Sequence, residues 1–561
     1  MSGPGNMTMA GEMIFLITIM MSAMLSEYFT NGFLVIMPQL HVALDFPEST
    51  HAWTLNAFTL TVACFILPMG HLIDAIGEYA MFHLGIAWFY VTNLITGFSV
   101  NYTMFLVLRA ISALGPAAFL PAGLSLLGKA YRPAERKTWA YVFYGASFGL
   151  GYLLGSAVGG MLVETMGWSW FFFIGALIST PLALISFWYI IWPWERVSTV
   201  RGQDWLGLLL LASSLGLSTF AILLSPHTAA KWASPLVYST FIAGVALLAA
   251  FAYVEWKVAA EPLIPFDILK VTHMRPLALA LLCGFASYGV LMFHLFQHIY
   301  WVYAHRNATI AALWFMPRAI AGMLIPVGGW LLIRRFDGKY LLVVSSLANI
   351  IAFLSFLYIK DVPSYWVVIF LPMICIALGF DLLYAVSTVF IMTNFPRRKQ
   401  GLAAALIHTM YFLGMSLLIA FGHMASEATS RVESQRFRHG TWFGVASSVI
   451  ELVIAMSMVT VPKAVGAWTF EEKEDQAPEH GEHEELRPPS RATLESVEMA
   501  GALPVGNPDG TPTARDSRSS PTDREFRSNP STLLDVPRQP PTVGTEAEVA
   551  AVVAARRTRR V

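Results

Sequence analysis

The chain has 561 residues, of which 56% are hydrophobic and 13% are charged. Its mean hydropathy of +0.58 lies on the apolar side of ordinary globular proteins, so we interpret it as an integral membrane protein. The 36 basic residues equal the 36 acidic residues in number, which excludes the basic excess that attracts nucleic acid. The three cysteines, Cys64, Cys283 and Cys375, stand far apart in apolar runs. They therefore predict neither a disulfide framework nor a zinc site.

A helix that crosses a bilayer needs roughly 20 apolar residues, and fourteen such runs follow one another along the chain. We number them spans 1 to 14. They lie at about 13–38, 52–69, 80–98, 103–127, 139–162, 169–192, 205–224, 235–254, 277–300, 310–333, 340–359, 364–388, 401–424 and 441–462. The run from Met13 is too long for the apolar core of a signal peptide, so we interpret it as a span.

The connections between spans predict the orientation, because Lys and Arg are retained on the cytoplasmic side of a membrane. Most of these basic residues, including Lys129, Arg136 and Lys339, fall in one set of alternate connections. That set and both termini are therefore predicted to be cytoplasmic. The sequons at Asn101 and Asn307 fall in the other set, where we predict glycosylation.

The predicted termini differ in length and composition. Residues 1–12 form a short N-terminus, whereas residues 464–561 form a polar segment rich in Pro, Ser, Glu and Arg. A segment with so few apolar residues is not expected to fold alone, so we predict a disordered cytoplasmic tail. Two interpretations stay open: a solvated tail without a specific role, or one whose serines are sites of phosphorylation or turnover.

Span 5 contains GYLLGSAVGG at 151–160. Gly151, Gly155 and Gly159 recur every fourth residue and form one ridge of the helix, with Gly160 beside it. Small residues at this spacing allow a neighbouring helix in the membrane to approach closely. The ridge is either a fixed packing groove or a surface that slides, and the glycines alone do not separate these alternatives.

Two further segments place polar groups at unusual positions. In GHLIDAIGEY, between spans 2 and 3, Gly70 and Gly77 bracket Asp74 in a very short turn. In span 4, Arg109 lies several residues inside the membrane. A charge at that depth is costly unless it is paired or hydrated, so we expect Arg109 to face the protein interior.

With these segments in this order, the sequence resembles the major facilitator superfamily, and within it the fourteen-span fungal drug:proton antiporters of the aminotriazole-resistance type. The resemblance covers residues 13–463. It rests on the short-loop motif at Gly70, Asp74 and Gly77, the fourth-span motif at Arg109 and Gly115, and the fifth-span motif at Gly151, Gly155, Gly159 and Gly160. The segments GWSWFFFIGAL at 167–177 and RRKQGLAAALIHTMYFLG at 397–414 are also similar to the family.

The chain departs from the family pattern at three places. Ser156 stands where the fifth-span motif has proline, and Glu78 is one of the residues that replace the usual basic residues of the short loop. Span 1 has Glu27-Tyr28-Phe29-Thr30 in place of the usual Asp-x-Thr pattern.

The resemblance implies an all-α polytopic membrane protein with the major facilitator fold. Two six-helix bundles, 13–195 and 277–463, would enclose two inserted helices and their flanking loops in 196–276. The halves would close alternately around a central site, as in other transporters that are built from repeats. GGWLLIRRFDGKY at 328–340 is a weak echo of the short-loop motif in the second half.

Four charged residues, Glu27, Arg318, Asp381 and Glu451, lie inside predicted spans. Ionisable groups in spans are functional candidates by default, and the alternative is an interhelical ion pair. We predict that Glu27 and Asp381 take part in proton coupling, and that Arg318 binds an anionic group of the substrate. Glu451 is interpreted as a lining or packing residue.

Four aromatic residues, Phe33, Phe58, Phe293 and Phe296, are predicted to line an apolar substrate cavity, although aromatics at helical spacing are more often core. His294 is predicted to be a polar lining residue. With His298 it has the i, i+4 spacing of metal ligands, but no third ligand is near in sequence, so we predict no metal site.

The sequence as a whole predicts a secondary transporter that exports a small, largely apolar compound in exchange for protons. Arg109 would perturb the protonation of a nearby carboxylate, with Glu27 as first choice. Span 5 would pack against the second half through its glycine face and help to close the cytoplasmic side, and Asp74 would stabilise one gate. We expect no cofactor, a monomer in the lipid bilayer, and the plasma membrane rather than the vacuolar membrane.

Two alternatives remain: an uncoupled facilitator of the same fold, and a sensor that binds without transport and signals through the tail. We expect no enzyme activity, because HExxH does not occur and no GxSxG or paired acid motif stands in a suitable context.

Overall fold

The computed structural model describes residues 9–131, 135–189, 204–259, 262–263, 273–303, 307–357, 365–395, 399–429 and 433–461. The predicted tail at 464–561 and most of the predicted N-terminus at 1–12 lie outside these ranges. Within them, every regular element is a helix and no β-strand occurs. The predicted all-α class is confirmed.

Twelve helical segments of the described ranges are long and apolar enough to cross a membrane. They coincide with spans 1, 2, 4, 5 and 7 to 14, and spans 1, 4 and 10 each contain two consecutive helices. The helices are Met9–Thr30 and Phe33–Ala43 in span 1, Trp53–Ile76 in span 2, Tyr102–Ser112 and Leu114–Ala130 in span 4, Glu135–Thr165 in span 5, Trp205–Leu224 in span 7, Pro235–Lys257 in span 8, Met274–His298 in span 9, Ala308–Trp314 and Met316–Arg335 in span 10, Gly338–Leu357 in span 11, Leu371–Asn394 in span 12, Gln400–Thr429 in span 13, and Glu433–Ser457 in span 14. Two short π-helices, Ile299–Tyr303 and Trp366–Phe370, adjoin spans 9 and 12.

The two remaining predicted spans are also helical. Span 3 forms Glu78–Thr96 and span 6 forms Ser169–Tyr189. Span 3 is less apolar than the twelve because it carries Glu78, His83 and Asn93 among its 19 residues. All fourteen predicted runs therefore contain helices in their described residues, and twelve of them meet the length and composition of a membrane span there.

Spans 1, 4 and 10 are each interrupted, and each break lies close to a charged residue. Span 1 breaks at Asn31 and Gly32, one turn after Glu27. Span 4 breaks at Ala113, four residues after Arg109, and span 10 breaks at Phe315, three residues before Arg318. At each interruption the backbone stays in the right-handed helical region, so each is a local irregularity and the span continues across it.

The first six and the last six spans meet along two lines of contact, which we call seams. At one seam span 2 packs against span 13, and at the other span 5 packs against span 10. Spans 7 and 8 pack against each other, and span 7 also contacts spans 2 and 13. The inserted pair therefore lies beside the first seam.

We name the two ends of the bundle by one acidic residue each. Glu78 forms a 2.8 Å ion pair with Lys129, so the end of span 4 lies beside the junction of spans 2 and 3. Asp74 lies in the last helical turn of span 2, and we call this end of the bundle the Asp74 end. Span 5 starts nearby and runs for 31 residues, or about 46 Å. Its last turn, with Glu164, therefore lies at the opposite end, the Glu164 end.

Candidate functional site: a buried charged cluster between two end contacts

Glu27 in span 1 is the centre of a hydrogen-bonded group that connects span 1 with span 13. The Tyr411 hydroxyl of span 13 donates to Glu27 Oε1 at 2.8 Å, and Asn31 Nδ2 donates to Glu27 Oε2 at 2.5 Å. Asn31 Nδ2 also lies 3.3 Å from the Tyr411 hydroxyl. Glu27 is only 2% exposed. A buried carboxylate therefore ties the break of span 1 to span 13.

Arg318 of span 10 and Asp381 of span 12 complete what we call the central charged cluster: Glu27, Arg318 and Asp381. Arg318 interacts electrostatically with both carboxylates. All three side chains are buried. With both carboxylates ionised the cluster carries one net negative charge, and one proton on either carboxylate makes it neutral. Since an unbalanced charge is costly inside a membrane protein, this arrangement suits reversible uptake of a proton.

Aromatic rings surround the Arg318 guanidinium. Its central carbon lies 5.3 Å from the ring centre of Tyr288, 5.6 Å from that of Phe380 and 5.9 Å from that of Tyr152. These distances allow cation–π attraction. The rings come from spans 5, 9 and 12, so the cluster lies where both sets of spans meet.

Arg109 does not pair with Glu27, contrary to the sequence-based expectation. It is fully buried and donates from Nη2 to the carbonyl of Phe29. The rings of Phe33 and Phe58 flank its guanidinium, each 4.3 Å from the central carbon. The group that interacts electrostatically with Glu27 is Arg318. Arg109 instead holds the backbone of span 1 just before its break.

Four of the predicted cavity residues are now placed. Phe33 and Phe58 enclose Arg109 rather than the central charged cluster. Phe293 contacts His423, and Phe296 contacts Phe315 at the break of span 10.

His294 is a fifth predicted cavity residue. Its Nδ1 lies 2.8 Å from the carbonyl of Val290 and its Nε2 lies 3.0 Å from the hydroxyl of Ser426. It therefore links span 9 to span 13. Within the described ranges no three potential ligands come together as a metal site.

Asp74 makes a direct contact across the first seam at the Asp74 end. Its Oδ1 accepts from the backbone N–H of Gly401 at 2.9 Å, and its Oδ2 accepts from that of Leu402 at 3.1 Å. Both N–H groups belong to the first turn of span 13. A carboxylate is favourable there, because free N–H groups and the helix dipole attract negative charge.

The structure corrects the predicted turn: Gly70 and Asp74 lie within the helix Trp53–Ile76, with Gly77 as its C-cap. A Cβ at Gly70 would lie 2.6 Å from the Cβ of Ala405 and 3.2 Å from the carbonyl of Gly401, so glycine permits the close approach of spans 2 and 13. Gly77 has φ 109°, a conformation that favours glycine. It lets the chain turn directly from span 2 into span 3.

Glu164 makes a similar contact at the opposite end of the bundle. Its Oε1 accepts from the backbone N–H of Ala308, the first residue of span 10, at 2.8 Å. It also accepts from Gln39 Nε2 at 2.9 Å, which ties it to the end of span 1. Sequence inspection missed Glu164, whose only signal was an acidic residue at the end of the glycine-rich span.

The glycine ridge of span 5 faces a different neighbour from the one expected. A Cβ at Gly155 would lie 2.9 Å from Gly32 Cα, and one at Gly151 would collide with the carbonyl of Met24. Gly159 faces Ile36. These three glycines therefore pack span 5 against span 1, within the first set of spans.

The expected contact with the second set is made by other glycines. A Cβ at Gly149 would lie 2.7 Å from the carbonyl of Gly322, and one at Gly160 would lie 2.8 Å from Ala312 Cβ. Both partners belong to span 10. The correction follows from helix geometry, because Gly160 lies about 100° around the helix from Gly159.

Both predicted glycosylation sites are helix caps at the Glu164 end. The Asn101 side chain accepts from Met104 N at 2.8 Å, and the Asn307 side chain accepts from Ile310 N at 2.9 Å. A side-chain oxygen in this place satisfies an otherwise free N–H group of the first turn. Capping is therefore a sufficient structural role for both residues, and glycosylation stays a prediction.

Comparison with known proteins identifies the family. The sequence matches the model of the Major Facilitator Superfamily over residues 16–419. The efflux pump terJ of Aspergillus terreus is 26% identical over 472 residues, which cover 82% of this chain and 90% of that protein. The low affinity ammonium transporter of Saccharomyces cerevisiae is 28% identical over 420 residues, which cover 72% and 80% of the two chains.

Among solved structures, that of the human organic anion transporter MFSD10 is similar with a TM-score of 0.52. The alignment covers 78% of this chain and 98% of MFSD10 at 12% sequence identity. This similarity therefore concerns the fold alone. The two sequence relatives are named as an efflux pump and as an ammonium transporter. The chain is a multi-pass membrane transporter that belongs to the major facilitator superfamily.

Proposed function

We propose that this protein is a secondary active transporter that exports a small, largely apolar compound in exchange for protons. The observation that carries the proposal is the central charged cluster, in which two buried carboxylates share one buried arginine. The cluster becomes neutral when it binds one proton. A proton gradient can therefore change the strength of the contact between the two sets of spans. The relative named as an efflux pump supports export as the direction.

In this proposal Glu27 binds the proton, and the hydrogen bond from Tyr411 becomes weaker or stronger with the charge of Glu27. The ionised carboxylate accepts the Tyr411 hydroxyl at 2.8 Å. Protonation removes the charge that strengthens this bond. Span 13 is then held less tightly to span 1, and the two sets of spans can separate. Arg109 has an indirect role: it fixes the Phe29 carbonyl and so positions Glu27 at the break of span 1.

The two end contacts serve as gates. Residues 13–195 and 277–463 would move as the two halves, with 196–276 as an insert beside the first seam. By the distribution of basic residues, the Asp74 end faces the cytoplasm. The bonds from Asp74 to span 13 then hold the cytoplasmic side closed, and the bond from Glu164 to span 10 holds the outer side closed. Each half-cycle would break one of these contacts and keep the other.

The glycines have separate roles in this mechanism. Gly151, Gly155 and Gly159 keep span 5 fixed to span 1, whereas Gly160 lies against span 10 where the halves would separate. Gly70 allows spans 2 and 13 to approach closely beside Asp74, and Gly77 allows the chain to turn from span 2 into span 3. Phe293, Phe296 and His294 would line the outer part of the path.

A second candidate, an uncoupled facilitator, is favoured by one observation. Ser156 stands where the antiporter motif has proline, and its hydroxyl donates to the carbonyl of Tyr152 at 2.7 Å. Span 5 runs as one helix from Glu135 to Thr165. Any function of a proline kink in this helix is therefore lost here.

The proposal extends to the surroundings of the protein. We infer that the transporter acts as a monomer in the plasma membrane, with its polar tail in the cytoplasm and its outer loops open to glycosylation. Its ligands are a small molecule and protons, with no cofactor.

The deciding experiment uses inside-out vesicles with an imposed proton gradient and a panel of toxic apolar compounds. Compounds that are exported in exchange for protons should discharge the gradient. Glu27→Gln should abolish discharge, whereas Glu451→Gln should retain it. Glu451 is the matched control because it is a buried carboxylate bonded to Ser345 and Asn349, outside the central charged cluster.

The other outcomes separate the alternatives. Protein-dependent uptake of a compound without any effect of the gradient would select the facilitator. Binding without flux, together with loss of signalling on deleting 464–561, would select the sensor. Equal loss of discharge in both variants would refute the special role of Glu27.

A further inference from the structure

The central charged cluster contains polar atoms that the described part of the protein leaves without partners. Arg318 donates from Nη2 to the Tyr288 hydroxyl at 3.4 Å, while its Nε and Nη1 have no hydrogen-bond partner among the described residues. The same holds for Oδ2 of Asp381. Arg318 is 2% exposed and Asp381 is 4% exposed. Buried polar groups are nearly always hydrogen-bonded, so these atoms need an explanation.

The two residues do not satisfy each other. They interact electrostatically, but over the described ranges the side-chain ion pairs within 4.0 Å are Lys129 with Glu78 and His423 with Glu427. Phe380, the residue before Asp381, has its ring centre 5.6 Å from the central guanidinium carbon of Arg318. The unpaired donors of Arg318 and the unpaired acceptor of Asp381 therefore lie in the same region without a direct ion pair. A group with one hydrogen-bond acceptor and one hydrogen-bond donor could satisfy both at once.

The surroundings of Arg318 indicate the rest of the ligand. The rings of Tyr152, Tyr288 and Phe380 stand around the guanidinium. Gly322 leaves the room that the guanidinium occupies, since a Cβ there would collide with Nη1. Aromatic rings beside the two polar groups favour a flat ligand, because stacked and edge-on ring contacts are favourable.

We propose that Arg318 and Asp381 together bind a planar apolar substrate through a neutral head group that accepts from Arg318 and donates to Asp381. Amides, lactams and amino-heterocycles belong to this class. The acceptor of the head group takes an N–H of Arg318, and its N–H donates to Oδ2 of Asp381. Glu27 then remains available for the proton. The inference deepens the proposed function and rests on its assignment of the cluster as the central site.

The class follows from matching both ends. A carboxylate substrate would accept from Arg318 but would face Asp381 with a second negative charge. An ammonium substrate would donate to Asp381 but would leave the N–H groups of Arg318 without an acceptor. A buried donor or acceptor that stays unpaired weakens binding strongly. The site therefore discriminates against ions that satisfy one end only.

The test measures binding to the purified full chain in lipid nanodiscs by calorimetry. The probes are naphthalene-2-carboxamide and its N,N-dimethyl derivative, which keeps the acceptor and lacks the donor. We expect the carboxamide to bind about tenfold or more tightly than the derivative, because a hydrogen bond to a charged group is lost. Naphthalene-2-carboxylate should also bind more weakly than the carboxamide.

Asp381→Asn supplies the second half of a double-mutant comparison. This substitution keeps the size of the side chain and removes its charge, so the preference for the carboxamide should fall to about threefold or less. Glu451→Gln is the control and should keep the full preference. Equal binding of the two amides to the unmodified protein, or an undiminished preference in Asp381→Asn, would overturn the inference. So would the absence of any carboxamide binding.

Binding and transport are separate measurements here. A full binding preference in a protein that exchanges no protons would leave this inference standing and would refute the proposed antiport. Proton exchange in a protein that ignores the head group of its ligand would do the reverse.

Discussion

The substitution Asp74→Asn should open the Asp74 end of the transporter. The carboxylate accepts two backbone N–H groups, at 2.9 and 3.1 Å, from the first turn of span 13. Asparagine keeps one acceptor oxygen, places an NH₂ group against the second N–H, and removes the charge that the helix terminus favours. We expect a loss of about 1–3 kcal/mol from these effects together. That loss would shift the balance between closed and open forms by about 5- to 150-fold.

The assay is a pair of distance measurements between spin labels in a variant without native cysteines. Labels at Ala75 and Lys399 report on the Asp74 end, and labels at Val42 and Ile310 report on the Glu164 end. Val42 is 79% exposed and Ile310 is 41% exposed, so both positions are accessible. Asp74→Asn should lengthen the first distance and leave the second short.

Glu164→Gln provides the opposite perturbation, because Glu164 holds span 10 at the other end of the bundle. It should lengthen the distance from Val42 to Ile310. Glu78→Gln is the control at the Asp74 end. Glu78 interacts electrostatically with Asp74, but its ion pair with Lys129 stays within the first set of spans, so the distance at the Asp74 end should change much less than in Asp74→Asn and the other should stay short. If Asp74→Asn and Glu164→Gln moved the same distance in the same direction, the interpretation of these contacts as opposed gates would be wrong.

Three further substitutions test the site and its frame. Tyr411→Phe removes the hydroxyl that donates to Glu27 and keeps the ring. Export should continue but lose most of its dependence on the proton gradient. An unchanged dependence in vesicle flux would show that the bond from Tyr411 to Glu27 does not couple protonation to transport. Arg109→Lys keeps the charge but fits poorly between Phe33 and Phe58; we expect at least a tenfold loss of transport in vesicle flux with normal membrane insertion, and near-normal flux would remove Arg109 from the mechanism. Gly151→Ala should destabilise the protein by about 1–3 kcal/mol, because its Cβ would meet the Met24 carbonyl. Gly216→Ala, with nothing within 4 Å, is the control and should be neutral or stabilising. Thermal unfolding in detergent measures both variants, and equal melting temperatures would contradict the packing argument.

The helices could be predicted because the membrane imposes a local rule. A chain segment in hydrocarbon must satisfy its own backbone hydrogen bonds, so about twenty apolar residues in a row already predict a helix. The run at 205–224 agrees with the helix Trp205–Leu224, and the run at 340–359 agrees with Gly338–Leu357 to within two residues. The interruptions in spans 1, 4 and 10 were not predicted, since one or two irregular residues do not end an apolar run of about twenty residues.

The partners of the charged residues could not be predicted. Asn31 lies four residues after Glu27 in the same span, so that pair could be predicted from spacing alone. Arg318 and Tyr411 are far from Glu27 in sequence, and only the packing of spans 1, 10 and 13 brings them together. The choice of Arg109 as partner of Glu27 followed the resemblance of the fourth-span motif and proved wrong.

The sequence by itself determined that the chain is an all-helical membrane protein of the major facilitator type, because hydropathy and short motifs are local properties of the chain. Only the tertiary structure decided which charges meet, which face of span 5 contacts span 10, and that Glu164 mirrors Asp74 at the other end. The physical reason is that a helix presents different residues every 100° around its axis, and the neighbour that each face meets is set by the packing of the whole bundle.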